Sequence, residues 1–205
     1  MNNSCTLECS LCEMVRNSLS IRSELQNTIL SQTKNFIITP SIGPLTVGHI
    51  LVTSKAHYPS LASMEASEIS EFIDLFKSIS KKNTRLLFSE HGTFNFDKGG
   101  GCIDHTHIHI LPNMDIYINI LDGILIKNHL INHIDNLHKL KEIQHPYILI
   151  IDSYGNVNLY EAYNTHSQIL RKAICNIENR LDWNWRNYEI THALKESISY
   201  WKNKI

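Results

Sequence analysis

The chain has 205 residues, 42% hydrophobic and 19% charged, with a formal net charge of -1. That composition can bury a core, which a disordered chain cannot, and it lacks the basic field of a non-specific nucleic-acid binder. No apolar run approaches the ~18 residues of a membrane span, and residues 1–10 lack the basic start and apolar core of a signal peptide. We therefore expect no nucleic-acid and no membrane partner. The five cysteines are odd in number and three fall at positions 5, 9 and 12. That pattern does not suggest a disulfide framework; it fits a reducing compartment, and a cytoplasmic location is expected.

Cys9-Ser10-Leu11-Cys12 is a C-x2-C pair. It supplies half of a tetrahedral Cys/His metal site, and it equally fits a reduced dithiol. Residues 25–41 predict two short strands with a turn near Thr33-Lys34-Asn35. Pro40, Gly43 and Pro44 break the chain, and residues 49–53 read as a buried strand. Residues 63–82 predict the clearest helix. Ile69, Phe72, Ile73, Phe76 and Ile79 recur at helical spacing, Glu68, Glu71 and Lys77 take the other side, and Ser63 is the expected N-cap. Residues 84–89 predict a strand that pairs with the next one across a glycine loop.

Residues 90–112, EHGTFNFDKGGGCIDHTHIHILP, carry the strongest pattern. Gly99, Gly100 and Gly101 lead into His105, His107 and His109, which alternate with Thr106, Ile108 and Ile110. Strand side chains alternate faces, so the three imidazoles are expected on one face and Thr106, Ile108 and Ile110 on the other. The glycines let backbone N–H groups approach a phosphate closely. A row of imidazoles also fits a polar strand face or a metal-binding trio.

Beyond Pro112, residues 124–143 predict a helix striped by Ile126, Leu130, Ile131, Ile134 and Leu137, with His129 and His133 on a solvated face. Residues 147–152 and 157–161 predict a hairpin about Ser153-Tyr154-Gly155-Asn156, and residues 169–181 and 188–201 predict helices. The aromatic segment Asp182-Trp183-Asn184-Trp185-Arg186 reads as an anchor for the tail, with base stacking as the alternative. Ser167, Gln168 and Arg171 are candidates to face a substrate phosphate.

His105-Thr106-His107-Ile108-His109-Ile110-Leu111 resembles the His-φ-His-φ-His-φ-φ signature of the histidine triad (HIT) superfamily, φ being apolar. Pro44-Leu45-Thr46-Val47-Gly48-His49-Ile50-Leu51-Val52, followed by Ser54-Lys55-Ala56-His57, resembles the family's upstream strand. Glu90, His91 and Asp104 are similar to the loop of a bacterial sub-branch. The resemblance covers about residues 9–112. It implies an α+β fold: an antiparallel sheet of about five strands with one packed helix, plus a C-terminal hairpin and helices. It divides the chain into a HIT-like nucleotide-binding core, residues 1–112, and an extension, residues 113–205, packed on the same domain.

The same resemblance implies an enzyme that cleaves a nucleoside 5′-phosphate linkage in a dinucleoside polyphosphate, nucleotide sugar or nucleoside phosphoramidate. His107 is the implied nucleophile, forming a covalent nucleotidyl-histidine, and His109 the implied contact to phosphate or leaving group. The third histidine is usually Gln in the nucleotidyltransferase branch, so His109 favours hydrolysis. Transfer or phosphorolysis through the same intermediate, or a catalytically weak nucleotide-binding regulator, are the alternatives. Some relatives bind zinc through residues matching Cys9, Cys12, His57 and His105, which implies a structural Zn2+ here. Ser41 stands where the family usually has a ribose-binding Asp or Asn. Gly101 and Cys102 stand where Gln and Ser or Thr usually contact phosphate, and Gly100 and Asn95 are further substrate-binding candidates. Small HIT proteins are commonly homodimers, so a homodimer is expected.

Overall fold

A computed structural model describes residues 9–16, 25, 28–94, 103–184, 191–202 and 204–205. Period-two segments rich in Ile, Leu and Val form an antiparallel sheet. Its strands are β1 (Ser31–Gln32), β2 (Phe36–Pro40), β3 (Ile50–Ser54), β4 (Leu86–Gly92), β5 (His107–Pro112), β6 (Lys127–Asn128), β7 (Tyr147–Asp152) and β8 (Val157–Glu161). They lie in the order β1-β2-β3-β5-β4-β7-β8-β6. The mixed, antiparallel class is as expected, but the sheet has eight strands rather than about five. β5 occupies one edge of β4, and the hairpin β7–β8 fills the other. Pairing there satisfies backbone groups that an open edge would leave to solvent.

One face of the sheet packs on the helix α2 (Ala66–Lys82) through Ile69, Phe72, Phe76 and Ile79, against Phe36, Ile50, Val52, Phe88, Ile108 and Ile110. The helix begins later than expected. Ser63 ends a short 3-10 turn, Leu61–Ser63, and Glu65 is the N-cap. The Glu65 N–H donates to the Glu68 carboxylate at 2.9 Å, which satisfies a first-turn donor that Ser63 is too early to reach.

The predicted helix over residues 124–143 is replaced by two pieces. Lys127–Asn128 pairs with β8, and Ile134–Glu142 is a nine-residue 3-10 helix. Buried Ile131, Ile134, Leu137, Leu140 and Ile143 recur at every third residue. Three is the 3-10 period, so within the helix this spacing puts Ile134, Leu137 and Leu140 on one side without the drift an α-helix would impose.

The other face of the sheet presents Leu87, Leu111, Ile148 and Ile150 to the helix α3 (Ile169–Ile177). α3 stops short of residue 181 because Asn179 turns left-handed at φ 56° and the Arg180 N–H caps the Cys175 carbonyl at 2.8 Å. The last helix, α4 (Thr191–Trp201), buries Trp201 in the main core. Trp183 packs against the second cluster, as expected of an anchor, and Trp185 and Arg186 lie outside the described residues. At the N-terminus, α1 (Ser10–Val15) buries Leu11 and Met14 against Ile37 and Ile103. Among the described residues, no helix is long and apolar enough to cross a membrane.

A buried polar tie joins these layers. The Tyr147 hydroxyl donates to one Glu90 carboxylate oxygen at 2.5 Å, and the Leu61 N–H donates to the other at 2.9 Å. The Ala62 N–H donates to the Tyr147 oxygen at 3.3 Å. Gly92 is required beside it, since a Cβ there would stand 2.3 Å from the Tyr147 ring. Burial pushes the Glu90 carboxyl up to about 7, against the pull of both donors. Tyr147→Phe leaves a buried carboxylate oxygen unpaired and is expected to cost ~1–3 kcal/mol in urea denaturation.

Candidate active site and metal centre

β5 lies between β3 and β4, with Thr53 opposite His107 and both Leu51 and Ser89 opposite His109. Ile108 and Ile110 point into the core under α2, so His107 and His109 point to the other face, into a pocket. His105 precedes the strand and its buried ring turns into a cysteine cluster instead. Three imidazoles therefore split into two sites, because strand alternation constrains only residues within β5.

Hydrogen bonds fix the tautomers. His107 Nδ1 lies 2.6 Å from the His105 carbonyl, which can only accept. Nδ1 therefore carries the proton, and the lone pair is on Nε2. The Leu45 N–H donates to His49 Nδ1 at 3.1 Å, which leaves the His49 proton on Nε2. His49 Nε2 then donates to His109 Nδ1 at 2.8 Å, so His109 keeps its own proton on Nε2. Of the two β5 imidazoles in the pocket, His107 presents a lone pair on Nε2 and His109 an N–H donor.

Burial lowers the pKa of all these rings. His107 is lowered by burial, opposed by its bond to the His105 carbonyl. His109 lies well below the usual range through burial, then the neighbouring His49, His107, Arg171 and His91. His49 is likewise well below, through burial and then Arg171. Burial, with His107 beside it, brings His91 down to about 4. All four are neutral at pH 7. Because their folded pKa values are depressed, their contribution to stability is complete above the unfolded value near 6.5 and is lost as pH falls through the lowered folded values, about 4 for His91. Glu90 acts oppositely: its raised value adds stability at low pH that is lost as pH rises towards 7. Four groups outweigh one, so the melting temperature is expected to fall between pH 7.5 and 5.0; a flat profile in calorimetry would contradict these assignments.

Ser41 lines the pocket and is buried, and its N–H donates to the His49 carbonyl at 3.1 Å. Asn95, Gly100, Gly101 and Cys102 lie outside the described residues. Gln168 and Arg171, at the start of α3, line the pocket. Arg171 donates to the Gly43 carbonyl at 2.6 Å and the Trp183 carbonyl at 2.8 Å. His91 lines the pocket and His49 stands behind His109; their positions in the sequence motifs gave neither of them a role there. The His91 Nε2 is buried with no hydrogen-bond partner among the described residues. A lone histidine opening an apolar strand, as His49 does, was the available signal.

Cys9, Cys12, His57 and His105 converge, each offering one ligand atom within 4.8 Å of the others. Cys12 Sγ lies 3.0 Å from His57 Nδ1 and 3.4 Å from His105 Nδ1, and the two Nδ1 atoms are 3.2 Å apart. Tetrahedral edges around a metal with ordinary Cys and His bond lengths are ~3.3–3.8 Å. His105 Nε2 donates to the Ser54 carbonyl at 2.8 Å, which leaves the Nδ1 lone pair facing the sulfurs. The four residues fit a metal ion. His129 and His133 form no such group among the described residues; the His133 ring accepts from the Asp135 N–H at 3.4 Å.

Two neutral imidazoles side by side on a central antiparallel strand, with a Cys2His2 cluster at its start, make up the candidate site. Residues 22–116 match the family model for the HIT domain. A HIT-like protein of Borreliella burgdorferi is 36% identical over 76 residues, 35% of this chain and 55% of that protein. The chain thus spans about half the length, 55%, of that curated relative. Among solved structures, it resembles a HIT-like protein involved in cell-cycle regulation from Bartonella henselae, at TM-score 0.42 and 19% identity, over 68% of this chain and 95% of that one. It also resembles a zinc-bound histidine triad family protein from Mycobacterium smegmatis, at TM-score 0.39 and 18% identity, over 51% and 74%. A HIT family hydrolase from Clostridium thermocellum has TM-score 0.39 and 21% identity, over 53% and 92%.

Proposed function

We propose that the protein is a nucleotide hydrolase that cleaves a nucleoside 5′-phosphate linkage through a covalent nucleotidyl-histidine on His107. One observation carries this reading: the 2.6 Å bond from His107 Nδ1–H to the His105 carbonyl, which leaves Nε2 unprotonated beside the pocket. In the first step Nε2 bonds to the α-phosphorus, and the bond to the leaving oxygen breaks with its electron pair. The His109 Nε2–H donates a hydrogen bond to that oxygen. The ring of His107 becomes cationic, and its Nδ1–H bond to the His105 carbonyl stabilises that charge. Water then attacks the phosphorus, loses a proton to solvent, and releases the nucleoside monophosphate and neutral His107. The dinucleoside polyphosphates and nucleotide sugars share this reacting centre; in a nucleoside phosphoramidate the P–N bond breaks instead, the leaving nitrogen takes the electron pair and departs as an amine with a proton from solvent, and the His109 Nε2–H faces it in place of the oxygen.

Zinc is the metal best suited to two thiolates and two imidazoles in tetrahedral array, and Cys9, Cys12, His57 and His105 would hold it. Its part is structural: it would tie α1 to the residue whose carbonyl orients His107.

The test is a rapid acid-free quench with an α-phosphorus-labelled dinucleoside polyphosphate or nucleotide sugar. An acid-labile, base-stable adduct mapping to His107 is expected. Turnover without an adduct, together with a near wild-type rate in His107→Ala, would overturn the mechanism. Adding inorganic phosphate as acceptor separates hydrolysis from phosphorolysis by product mass.

A further inference from the structure

Between the chain break and β3, four backbone groups are held from the far end of the chain. Arg171 takes the Gly43 carbonyl at 2.6 Å, and Arg180 takes the Leu45 carbonyl at 2.8 Å. From α4, the Trp201 indole N–H donates to the Gly48 carbonyl at 2.6 Å, and the Gly48 N–H donates to the Ser197 hydroxyl at 2.9 Å. Both α4 side chains are buried, Trp201 at 1% and Ser197 at 0% exposure, so neither bond is replaced by water. Gly48 has φ +86°, and a Cβ there would stand 2.7 Å from the Tyr200 ring and 2.9 Å from Pro112. The peptide is gripped on its N–H, on its carbonyl and across its Cα.

That peptide precedes His49. His49 receives the Leu45 N–H on Nδ1 and donates to His109 from Nε2, so the backbone at residues 45–48 aims the ring that sets the His109 tautomer. We propose that the C-terminal extension is part of the catalytic apparatus, with Ser197 and Trp201 as positioning residues for the His49–His109 pair. Ser197 is 149 residues from Gly48 in sequence, and Trp201 is 153 away. The inference rests on the role given to His109 under the proposed reaction.

Ser197→Ala and Trp201→Phe remove one bond each and keep most of the packing. Each is expected to lower kcat about tenfold or more with KM changed less than about twofold, since a misplaced group costs rate while substrate contacts persist. A Leu140→Ala control, in the core away from this loop, should lower the melting temperature with kcat unchanged. Independently of activity, 15N spectra of the imidazoles should show His49 and His109 as Nε2–H tautomers in the wild type and as a tautomer mixture in the variants. If kcat and the His109 spectrum stay wild-type while stability falls as in Leu140→Ala, the extension is only a scaffold and the proposal is wrong. If Trp201→Phe does not fold, Ser197→Ala decides by the same two readouts. If His109→Ala keeps wild-type activity, the proposed reaction fails, and the spectra still decide whether α4 sets the tautomer.

Discussion

Replacing His107 by alanine is expected to remove turnover by ~10⁴-fold or more while leaving the melting temperature within a few degrees of wild type. The side chain is half-buried at the pocket, so its loss opens little core. The other β5 imidazole cannot stand in for it. His109 Nδ1 is engaged by His49, and His109 Nε2 carries a proton, so the second imidazole has no lone pair to offer. Loss of an assisting group alone costs ~10²–10⁴, so His109→Ala should be milder and should depend on the leaving group. His105→Ala should behave differently again, with metal content and stability falling together. Steady-state kinetics, metal analysis and thermal melts on the three variants separate these roles. A purely structural row of histidines predicts similar stability losses at all three positions.

Removing the metal is expected to have the other large effect. Protein purified without chelator should hold about one zinc per chain, as a four-ligand site requires. Stripping it, or making Cys12→Ser, leaves buried thiol and imidazole groups facing one another 3.0–3.4 Å apart with nothing to bind them. A loss of ~4 kcal/mol is expected, or ~10 °C in melting temperature for a chain of this size. Activity should fall as well. His105 offers its ring to the cluster and its carbonyl to His107 Nδ1, so a residue released at one end loosens the nucleophile at the other. Metal-free protein that is fully folded and active would sink the metal assignment. Restoration by zinc and not by magnesium would match a site of two sulfurs and two nitrogens.

Much of this was legible in local pattern. Alternation in residues 107–112 marks β5, the Ser153–Asn156 turn marks the hairpin β7–β8, and Ile69, Phe72, Phe76 and Ile79 mark α2. Each depends on the period of one element, which neighbouring residues write directly into the chain. The four cluster residues were also found, because they lie in or beside motifs that resemble a known family. Period alone misled at residues 124–143, since a spacing of three belongs to both helical patterns until packing selects one.

What the sequence determined by itself was the set of reactive groups: the paired cysteines, His57 and the three alternating histidines. Tertiary structure alone decided where each histidine ring points and where its proton sits. His105 joined the Cys/His cluster because the chain turns before β5 and brings Cys9 and Cys12 against it across more than ninety residues. His109 became a donor because His49, 60 residues earlier, is aimed at it by a loop that α4 holds. A proton's place on an imidazole is set by whichever donor or acceptor lies within ~3 Å of the other nitrogen. That partner is chosen by strand register and by the docking of distant helices, neither of which has a period to read.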